Sequence, residues 1–261
     1  MTSNYRYDLA PYTWKLVQEL KAGQALFCQP PMPIKCAGAP QKALYLSCDH
    51  WRRNGLQGKI QASFLNAGAV LFGVADYVPA LMEYIDRYAV DLQFGHNLIA
   101  VDGPAKQATF ARTLPDGSRE TLVRPFDLLH VVPPQIAPDF IRSSPLADAA
   151  GWVDVDPASL RHRQFANIHG LGDVTNTSNA KTAAAARKQA PVVANNVLVA
   201  LGRLSRPATY DGYGSCPLTV ERGKIVLAEF TYGLPPLYWR GMLKGHEWLA
   251  RPALQADKPA V

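Results

Sequence analysis

Three short stretches decide the fold class: ALFC at 25–28, KIQASFL at 59–65 and VDLQF at 90–94. Each has the length of a β-strand, and the apolar ALFC is typical of a buried one. Between them lie two stretches with helical spacing of apolar residues, one that opens near Pro40 and one at Asp76–Tyr88 with the aspartate as its N-cap. Strands that alternate with helices in this way predict a parallel sheet in an α/β, Rossmann-like fold.

The pattern changes after residue 97, where short strands are joined by turns rich in Gly, Pro and Asp. Strands are expected at 98–101, 107–112 and 120–124, which predicts an antiparallel meander inserted into the α/β unit. Phe126–Val132 is mostly apolar, and we predict that it is a central strand buried on both faces.

In the second half of the chain, strands are predicted at 152–156, 167–173 and 224–232. A glycine-rich loop is predicted at 211–217, before the last of them. A long helix is expected from Lys181 to about Leu201, with Pro191 as a kink or a break. One face of this helix carries small and apolar residues: Ala186, Ala190, Val193, Val197 and Leu201.

Composition argues against several classes of protein. The chain has 261 residues, of which 48% are hydrophobic and 18% charged, so a large core can form and intrinsic disorder is not expected. The N-terminus is too polar for a signal peptide and no apolar run is long enough to span a bilayer, which favours a soluble protein on the cytoplasmic side. The four cysteines form no close CxxC pair, so neither a disulfide scaffold nor a metal site is expected. The net charge of +6 suits nucleotides, phosphates or a lipid surface.

Two of the cysteines, Cys36 and Cys216, are candidates for sulfur chemistry. Cys36 stands between a predicted strand and a helix N-terminus, with Lys35 beside it and Lys42 shortly after, and all of these favour a thiolate. Cys216 lies in the glycine-rich loop, where a thiol can be exposed and the backbone can approach a ligand. For both, the alternative of a residue without chemistry, buried or in a plain loop, stays open.

A second candidate site begins at Gly172-Asp173, after a predicted strand and before the long helix. The carboxylate can accept hydrogen bonds from ribose or ribityl hydroxyls, and the glycine lets a ligand approach the backbone. The helix start at Lys181-Thr182-Ala183 presents free N–H groups, which can stabilise a phosphate or the negative charge of a reduced flavin. A plain turn followed by an N-cap is the alternative.

The last segment, 234–251, carries its apolar residues and its cations on different helical stripes. A cationic amphipathic helix with Trp and Tyr is typical of a segment that lies on a membrane surface. The alternative is an ordinary surface helix packed on the core, and two glycines weaken the helical pattern itself.

Together these segments resemble the flavin-dependent sulfide:quinone oxidoreductases of the pyridine nucleotide-disulfide oxidoreductase superfamily. The resemblance is carried, in the family's order, by PIKCAGAPQKALY (33–45), FGV (72–74), LHVVPP (129–134), SPLADAAGWVDVD (144–156), GDVTN (172–176), KTAAAARKQAPVV (181–193) and YDGYGSCPL (210–218). Two departures stand out. The family normally begins with a strand–GxGxxG–helix unit that has no counterpart here, and Tyr232-Gly233 runs directly into LPP (234–236) where the family has an intervening segment.

The resemblance implies FAD as the cofactor, with sulfide and a membrane quinone as substrates. Sulfide would attack a disulfide-type bridge between Cys36 and Cys216 and leave a persulfide on one of them, while the freed thiolate would pass two electrons through FAD to the quinone. Tyr238 and Trp239 of the tail would lie at the lipid surface near the quinone. The cofactor-binding residues that the resemblance assigns are Lys42, His130, Pro133, Gly172, Asp173, Lys181, Thr182 and Ala183.

A domain order and a location are implied as well. The expected parts are a connecting segment (1–22), an NAD(P)-type Rossmann-like domain (23–132), the C-terminal part of an FAD-binding domain (133–233) and a membrane-associating tail (234–261). The protein would be peripheral on a bacterial cytoplasmic or mitochondrial inner membrane, without a nucleic-acid partner, and either a homo-oligomer or in need of a missing N-terminal partner chain. Two alternatives stay open: a non-catalytic remnant or piece of a split enzyme that needs a partner for FAD, and a flavin dehydrogenase that uses NAD(P)H.

Overall fold

Helices and strands alternate up to residue 94, and four strands then follow one another up to residue 130. Between residues 131 and 182 the chain has little regular secondary structure. The computed structural model describes residues 1–114, 116–233 and 250–252. In chain order its helices and strands are α1 Ala10–Glu19, β1 Gly23–Gln29, α2 Ala39–Arg53, β2 Ile60–Asn66, α3 Val78–Arg87, β3 Asp91–Phe94, β4 His96–Asp102, β5 Gln107–Thr113, β6 Arg119–Pro125, β7 Leu128–His130, α4 Asp139–Arg142, α5 Ala183–Ala200, β8 Gly214–Glu221, β9 Lys224–Phe230 and β10 Ala250–Pro252.

The parallel sheet has the strand order β3-β2-β1-β7. Strands β1 and β2 pair in parallel from Gly23↔Ile60 to Gln29↔Asn66. The chain adds β2 and β3 on one side of β1 and then returns to place β7 on the other side, so strand order reverses at β1. The expected α/β class with a Rossmann-like parallel sheet is confirmed, and the crevice beyond the carboxyl ends of β1 and β7 is where such sheets bind ligands.

Burial of both faces holds this sheet together. One face of the sheet packs with the meander in a cluster made of Leu26, Cys28, Leu65, Ala108, Phe110, Phe126 and Leu129. Each large apolar side chain buried in this way contributes about 1.5–3 kcal/mol. At the start of β1, Gly23 has a φ of +111°, and a Cβ there would lie 2.1 Å from a carboxylate oxygen of Asp127, so only glycine fits.

The inserted meander is confirmed as an antiparallel sheet in the order β4-β5-β6. The strand predicted over Phe126–Val132 is shorter, and the prediction that it is central is wrong, because β7 is an edge strand of the described parallel sheet. Its open edge is nevertheless covered. The Thr2 N–H donates to the Leu129 carbonyl at 2.9 Å, and the Val131 N–H donates to the Thr2 carbonyl at 2.8 Å. The residues of β7 are therefore fully buried although the strand lies at an edge.

The predicted cap of α3 is also corrected. Asp76 lies inside a 3₁₀ turn, Ala75–Tyr77, and makes no capping hydrogen bond. The α-helix begins two residues later, at Val78, with Pro79 in its first turn. Proline favours that position because it has no N–H to satisfy, which explains the later start.

The segments predicted as strands at 152–156 and 167–173 form only isolated bridges. Val153 bridges Ala147 and Thr175, whereas Val155 bridges His162 and His169 bridges Arg161. Because neighbouring residues pair with different segments, no ladder extends beyond one residue. The side chains still form a core, which includes Trp152, Val153, Val155, Leu160, Val192 and Tyr210.

Helix α5 is continuous across Pro191, so of the two expected effects of this proline, a kink or a break, the break does not occur. The face with the small and apolar residues is largely accessible, and Leu201 just beyond the end of the helix is 63% exposed. The helix instead buries a face one residue away that includes two amides: Ala185, Gln189, Val192 and Asn196.

Two units divide the chain: Met1–Pro134 with Pro217–Leu227, and Gln135–Cys216 with the described residues from 228 to 233. The predicted boundary at 132/133 lies two residues from the first of these divisions. The assignment of the parts to NAD(P)-type and FAD-type domains stays a prediction. Among the described helices, none combines the length and the apolar character required to cross a bilayer.

Candidate functional site

Cys36 lies in the loop between β1 and α2, at the carboxyl edge of the parallel sheet. The Lys42 ammonium, on the first turns of α2, lies 3.6 Å from the Cys36 sulfur, and a contact of this kind stabilises a thiolate. Cys36 has a φ of +57°, a left-handed conformation that disfavours residues other than glycine. The Tyr5 hydroxyl donates to the Lys35 carbonyl at 2.6 Å, and the Cys36 carbonyl accepts the Ala39 N–H at 2.8 Å. These two hydrogen bonds fix the backbone just before and just after Cys36. They hold a partly exposed cysteine in a strained conformation.

His130 ends β7 at the same edge of the sheet and is fully buried. Its ring stacks on Phe27 with centroids 5.8 Å apart, and its Nε2 accepts the Asn4 N–H at 3.3 Å. Burial lowers the pKa of His130 to about 4, so the ring is neutral at neutral pH. With Nε2 as acceptor the proton resides on Nδ1, which has no partner among the described residues. A buried donor is thus available beside the ligand edge of the sheet, next to the exposed Pro133.

In the other unit, Gly172 and Asp173 form a 3₁₀ turn that leads toward α5. Gly172 has a φ of +75°, which requires glycine in practice, and its N–H donates to the Gln189 side chain at 2.6 Å. The buried Lys181 ammonium donates to the Asp173 carbonyl at 3.0 Å and to the Thr175 carbonyl at 2.5 Å. The Lys181 side chain therefore organises the turn.

The first turn of α5 stands next to this turn. Thr182 is the N-cap, and its hydroxyl accepts the Ala185 N–H at 3.2 Å. The N–H groups of the first helical residues point out of the helix, and together with its dipole they favour negative charge. Ala183 is exposed and small, so a flat group can approach them closely. A flavin fits these residues: the backbone donors of α5 suit its anionic ring edge, and glycine and alanine leave space for it.

Cys216 is not in an exposed loop as predicted. It lies within β8 and is 1% exposed, because the glycine-rich segment turns into a strand already at Gly214. Nearby in sequence, the Tyr213 hydroxyl donates to Glu229 at 2.5 Å, and burial together with this carboxylate raises the pKa of Tyr213 to about 12. Cys36 and Cys216 belong to different units, and their convergence stays a prediction.

The remaining two cysteines are core residues. Burial raises the pKa of Cys28 in β1 and of Cys48 in α2, so both thiols stay protonated and unreactive. In the part of the chain that the structure describes, no three His, Cys, Asp or Glu side chains come together as metal ligands would.

Comparisons with known proteins identify relatives and solved structures that match most of this chain. The chain is 42% identical over 235 residues to the mitochondrial sulfide:quinone oxidoreductase of Mus musculus. The aligned region covers 90% of this chain and 52% of the mouse protein. It is 37% identical over 281 aligned positions to the mitochondrial sulfide:quinone oxidoreductase of Dictyostelium discoideum. This alignment covers 97% of this chain and 61% of that protein. The chain is a homologue of the sulfide:quinone oxidoreductases.

It spans about half the length of the curated sulfide:quinone oxidoreductases that it matches. The solved sulfide:quinone oxidoreductase of Aquifex aeolicus shares the fold, with a TM-score of 0.75 and 16% identity over 90% of this chain and 57% of that one. No family model matches the chain. The matching curated proteins are named as mitochondrial, so they give no support to a bacterial cytoplasmic membrane as the location.

Sequence reasoning missed residues that support the candidate site. Gln189 holds Gly172, and the segment around Thr2 and Asn4 covers β7 and His130. A signal for Gln189 existed, since it shares a helical face with Ala185 and Val192. Tyr238 and Trp239, predicted to contact the membrane, lie outside the described residues.

Proposed function

We propose that this protein catalyses flavin-dependent oxidation of sulfide and passes the electrons to a quinone. The observation that carries the proposal is the contact of 3.6 Å between the Lys42 ammonium and the Cys36 sulfur, in a strained loop at the ligand edge of the sheet. The homology to proteins named sulfide:quinone oxidoreductase supports the same chemistry.

The two catalytic residues that we propose are Cys36 and Cys216, joined in the resting enzyme by a disulfide-type bridge. Hydrosulfide adds to one sulfur, so that a new S–S bond forms, the bridge breaks, and a persulfide and a thiolate result. Transfer of the outer persulfide sulfur to a nucleophilic acceptor leaves a second thiolate. The two thiolates then re-form the S–S bond and release two electrons, which a bound flavin would accept. Lys42 stabilises the negative charge on Cys36 during these steps.

A bound FAD would supply the two-electron acceptor that links the sulfurs to quinone. His130 would donate its Nδ1 proton to a cofactor acceptor atom, and Pro133 would approach the cofactor from the exposed end of β7. Gly172, Asp173 and the backbone of Lys181, Thr182 and Ala183 would hold the ring and its hydroxyl-bearing chain. The Lys181 ammonium donates to two backbone carbonyls of the turn at Gly172–Thr175. Its role would therefore be to keep this turn in the conformation that binds the cofactor.

The test is reconstitution of the purified chain with FAD, followed by flavin absorbance and by sulfide-dependent reduction of a soluble quinone. We expect Cys36→Ser and Cys216→Ser to lose turnover by several orders of magnitude and to keep flavin. Cys48→Ala is the matched control, since Cys48 is buried in α2 and outside the proposed chemistry. Full activity in either serine variant would refute the assignment.

Three further outcomes separate the alternatives. Flavin binding only after co-expression with a chain that carries a glycine-rich nucleotide-binding unit would favour a split enzyme, and no flavin in either case would favour a non-catalytic remnant. NADH oxidation by the reconstituted chain would favour a flavin dehydrogenase.

We also propose peripheral attachment to the mitochondrial inner membrane through residues 234–261. Removal of this segment is expected to abolish sedimentation with vesicles that contain cardiolipin. Sedimentation that does not change would contradict the anchor. A homo-oligomer, tested by light scattering, stays a prediction.

A further inference from the structure

A cleft of about 570 Å³ opens in the first unit, at a place that the proposed sulfur chemistry does not use. It lies between α1, the carboxyl-terminal half of α2 and the turn between β8 and β9. This volume is within the range of cavities that bind small molecules, about 300–1,000 Å³.

One wall of the cleft is apolar and aromatic. Trp14 of α1 is 50% exposed and Leu46 of α2 is 41% exposed, although both are large apolar residues. The Trp14 ring meets the His50 ring edge to face, with centroids 4.8 Å apart, which fixes its position. A fixed, half-exposed indole in a concave site offers a surface for a flat ring.

The rest of the cleft is cationic. Arg53 and Arg222 both line it and both are exposed. Within the described part of the chain the Arg222 guanidinium forms no ion pair. The carboxyl end of α2 would by itself repel an anion, but its last turn carries Arg52 and Arg53, whose positive charges offset the negative end of the helix dipole.

The acidic groups near the cleft are already engaged. Asp49 is 5% exposed at its side chain and accepts from Arg52 at 3.0 Å and from the Arg222 backbone N–H at 3.1 Å. Glu221 pairs with Arg87 at 2.9 Å and with Lys224 at 2.7 Å. The cleft therefore presents a net positive charge to a ligand.

This position is distinct from the proposed sulfide site. Cys36 precedes the first residue of α2, whereas Arg53 is its last residue. The helix has 15 residues, so its ends are about 22 Å apart. The cleft is thus near the amino edge of the parallel sheet, and the ligand crevice of the fold is at the opposite edge.

We propose that the cleft binds a small anion that carries a flat ring, of the mononucleotide type, with the ring on Trp14 and the anionic group between Arg53 and Arg222. Guanidinium groups recognise phosphate and carboxylate with paired hydrogen bonds, and an indole stacks on heterocycles. The site goes beyond the proposed oxidation of sulfide and does not depend on it.

The experiment is isothermal titration calorimetry of the full chain with AMP as the probe, with adenosine and inorganic phosphate as separate arms. We expect saturable binding of one AMP per chain, at least tenfold tighter than either fragment, and weaker at high salt because the charges are exposed. Absence of saturable AMP binding would overturn the proposal. So would equal affinities for AMP and phosphate, since the ring would then contribute nothing.

Three variants locate the site. Arg222→Gln is expected to weaken AMP binding about tenfold or more, through loss of charge-assisted hydrogen bonds. Trp14→Ala is expected to weaken it about fivefold or more while phosphate binding is unchanged. Arg112→Gln, an exposed arginine of β5 that pairs with Glu120, is the matched control and should bind AMP as the unmodified chain does. Circular dichroism checks that each variant is folded, and folded Arg222→Gln protein with unchanged affinity would overturn the assignment.

Discussion

The buried histidine at the end of β7 makes the stability of the first unit depend on pH in a way that can be calculated. Burial lowers the pKa of His130 from 6.5 to about 4. In the unfolded chain this histidine binds a proton near pH 6.5, whereas in the folded chain it does so only near pH 4. The free energy of unfolding therefore decreases as the pH falls from about 6.5 to about 4. At 1.36 kcal/mol per pH unit, the loss between pH 7 and pH 4 is about 3 kcal/mol, of which about 2 kcal/mol is lost by pH 5.

The assay is urea unfolding, followed by circular dichroism, at several pH values between 7 and 4. His130→Gln is the comparison variant, because its amide stays neutral and can still accept the Asn4 N–H. Other titrating groups are common to both proteins, so their effects cancel in the difference. We expect the unmodified chain to lose about 3 kcal/mol more than the variant over this range. Parallel pH profiles would refute the reasoning, since the histidine would then titrate equally in the folded and unfolded states.

Three further predictions concern packing and the Gly172 turn, and urea unfolding at neutral pH measures all of them. Gly172→Ala places a side chain at a φ of +75° and should cost about 1–2 kcal/mol. Gln189→Leu removes the acceptor of the Gly172 N–H and should cost about 1–3 kcal/mol, and a loss below 0.5 kcal/mol would mean that water replaces the amide. Phe110→Ala empties a fully buried position in β5 and should cost about 3–5 kcal/mol, whereas Val123→Ala on exposed β6 should change little.

The parallel sheet could be predicted because its signals are local. Each of β1, β2 and β3 is a short stretch of strand-forming residues, and the helices between them have amphipathic spacing. The predicted bounds therefore differ from the observed ones by no more than two residues. The position of β7 could not be predicted in this way. Phe126–Val132 looks like a central strand because it is apolar, but its burial on the outer side comes from Thr2, which is more than 120 residues away in the sequence.

The second unit is harder to predict from the sequence. Its strand-like segments bury their apolar side chains without forming regular β-ladders. The valines of the segment 152–156 are buried as a strand pattern suggests, but they bridge to three separate segments. Cys216 shows the same limit. Its surroundings, DGYGSCP, are typical of a loop, yet pairing of β8 with β9 extends back to Gly214 and buries the thiol. The proximity of Lys42 to Cys36 could be anticipated because both lie at one helix N-terminus.

Helix α5 buries two amide side chains rather than its most apolar face, and this choice of face bears on the candidate site. Apolar spacing favours the face that contains Val197 and Leu201, but the helix buries the face with Gln189 and Asn196, whose amides hydrogen-bond to backbone groups of neighbouring segments. Gln189 accepts the Gly172 N–H, while Asn196 donates to the Ser159 and Ala208 carbonyls and accepts the Ala208 N–H. A helix anchored by such bonds cannot rotate about its axis without breaking them. The direction of its first-turn N–H groups is therefore set by buried amides, which is the property that a cofactor site at this helix end requires.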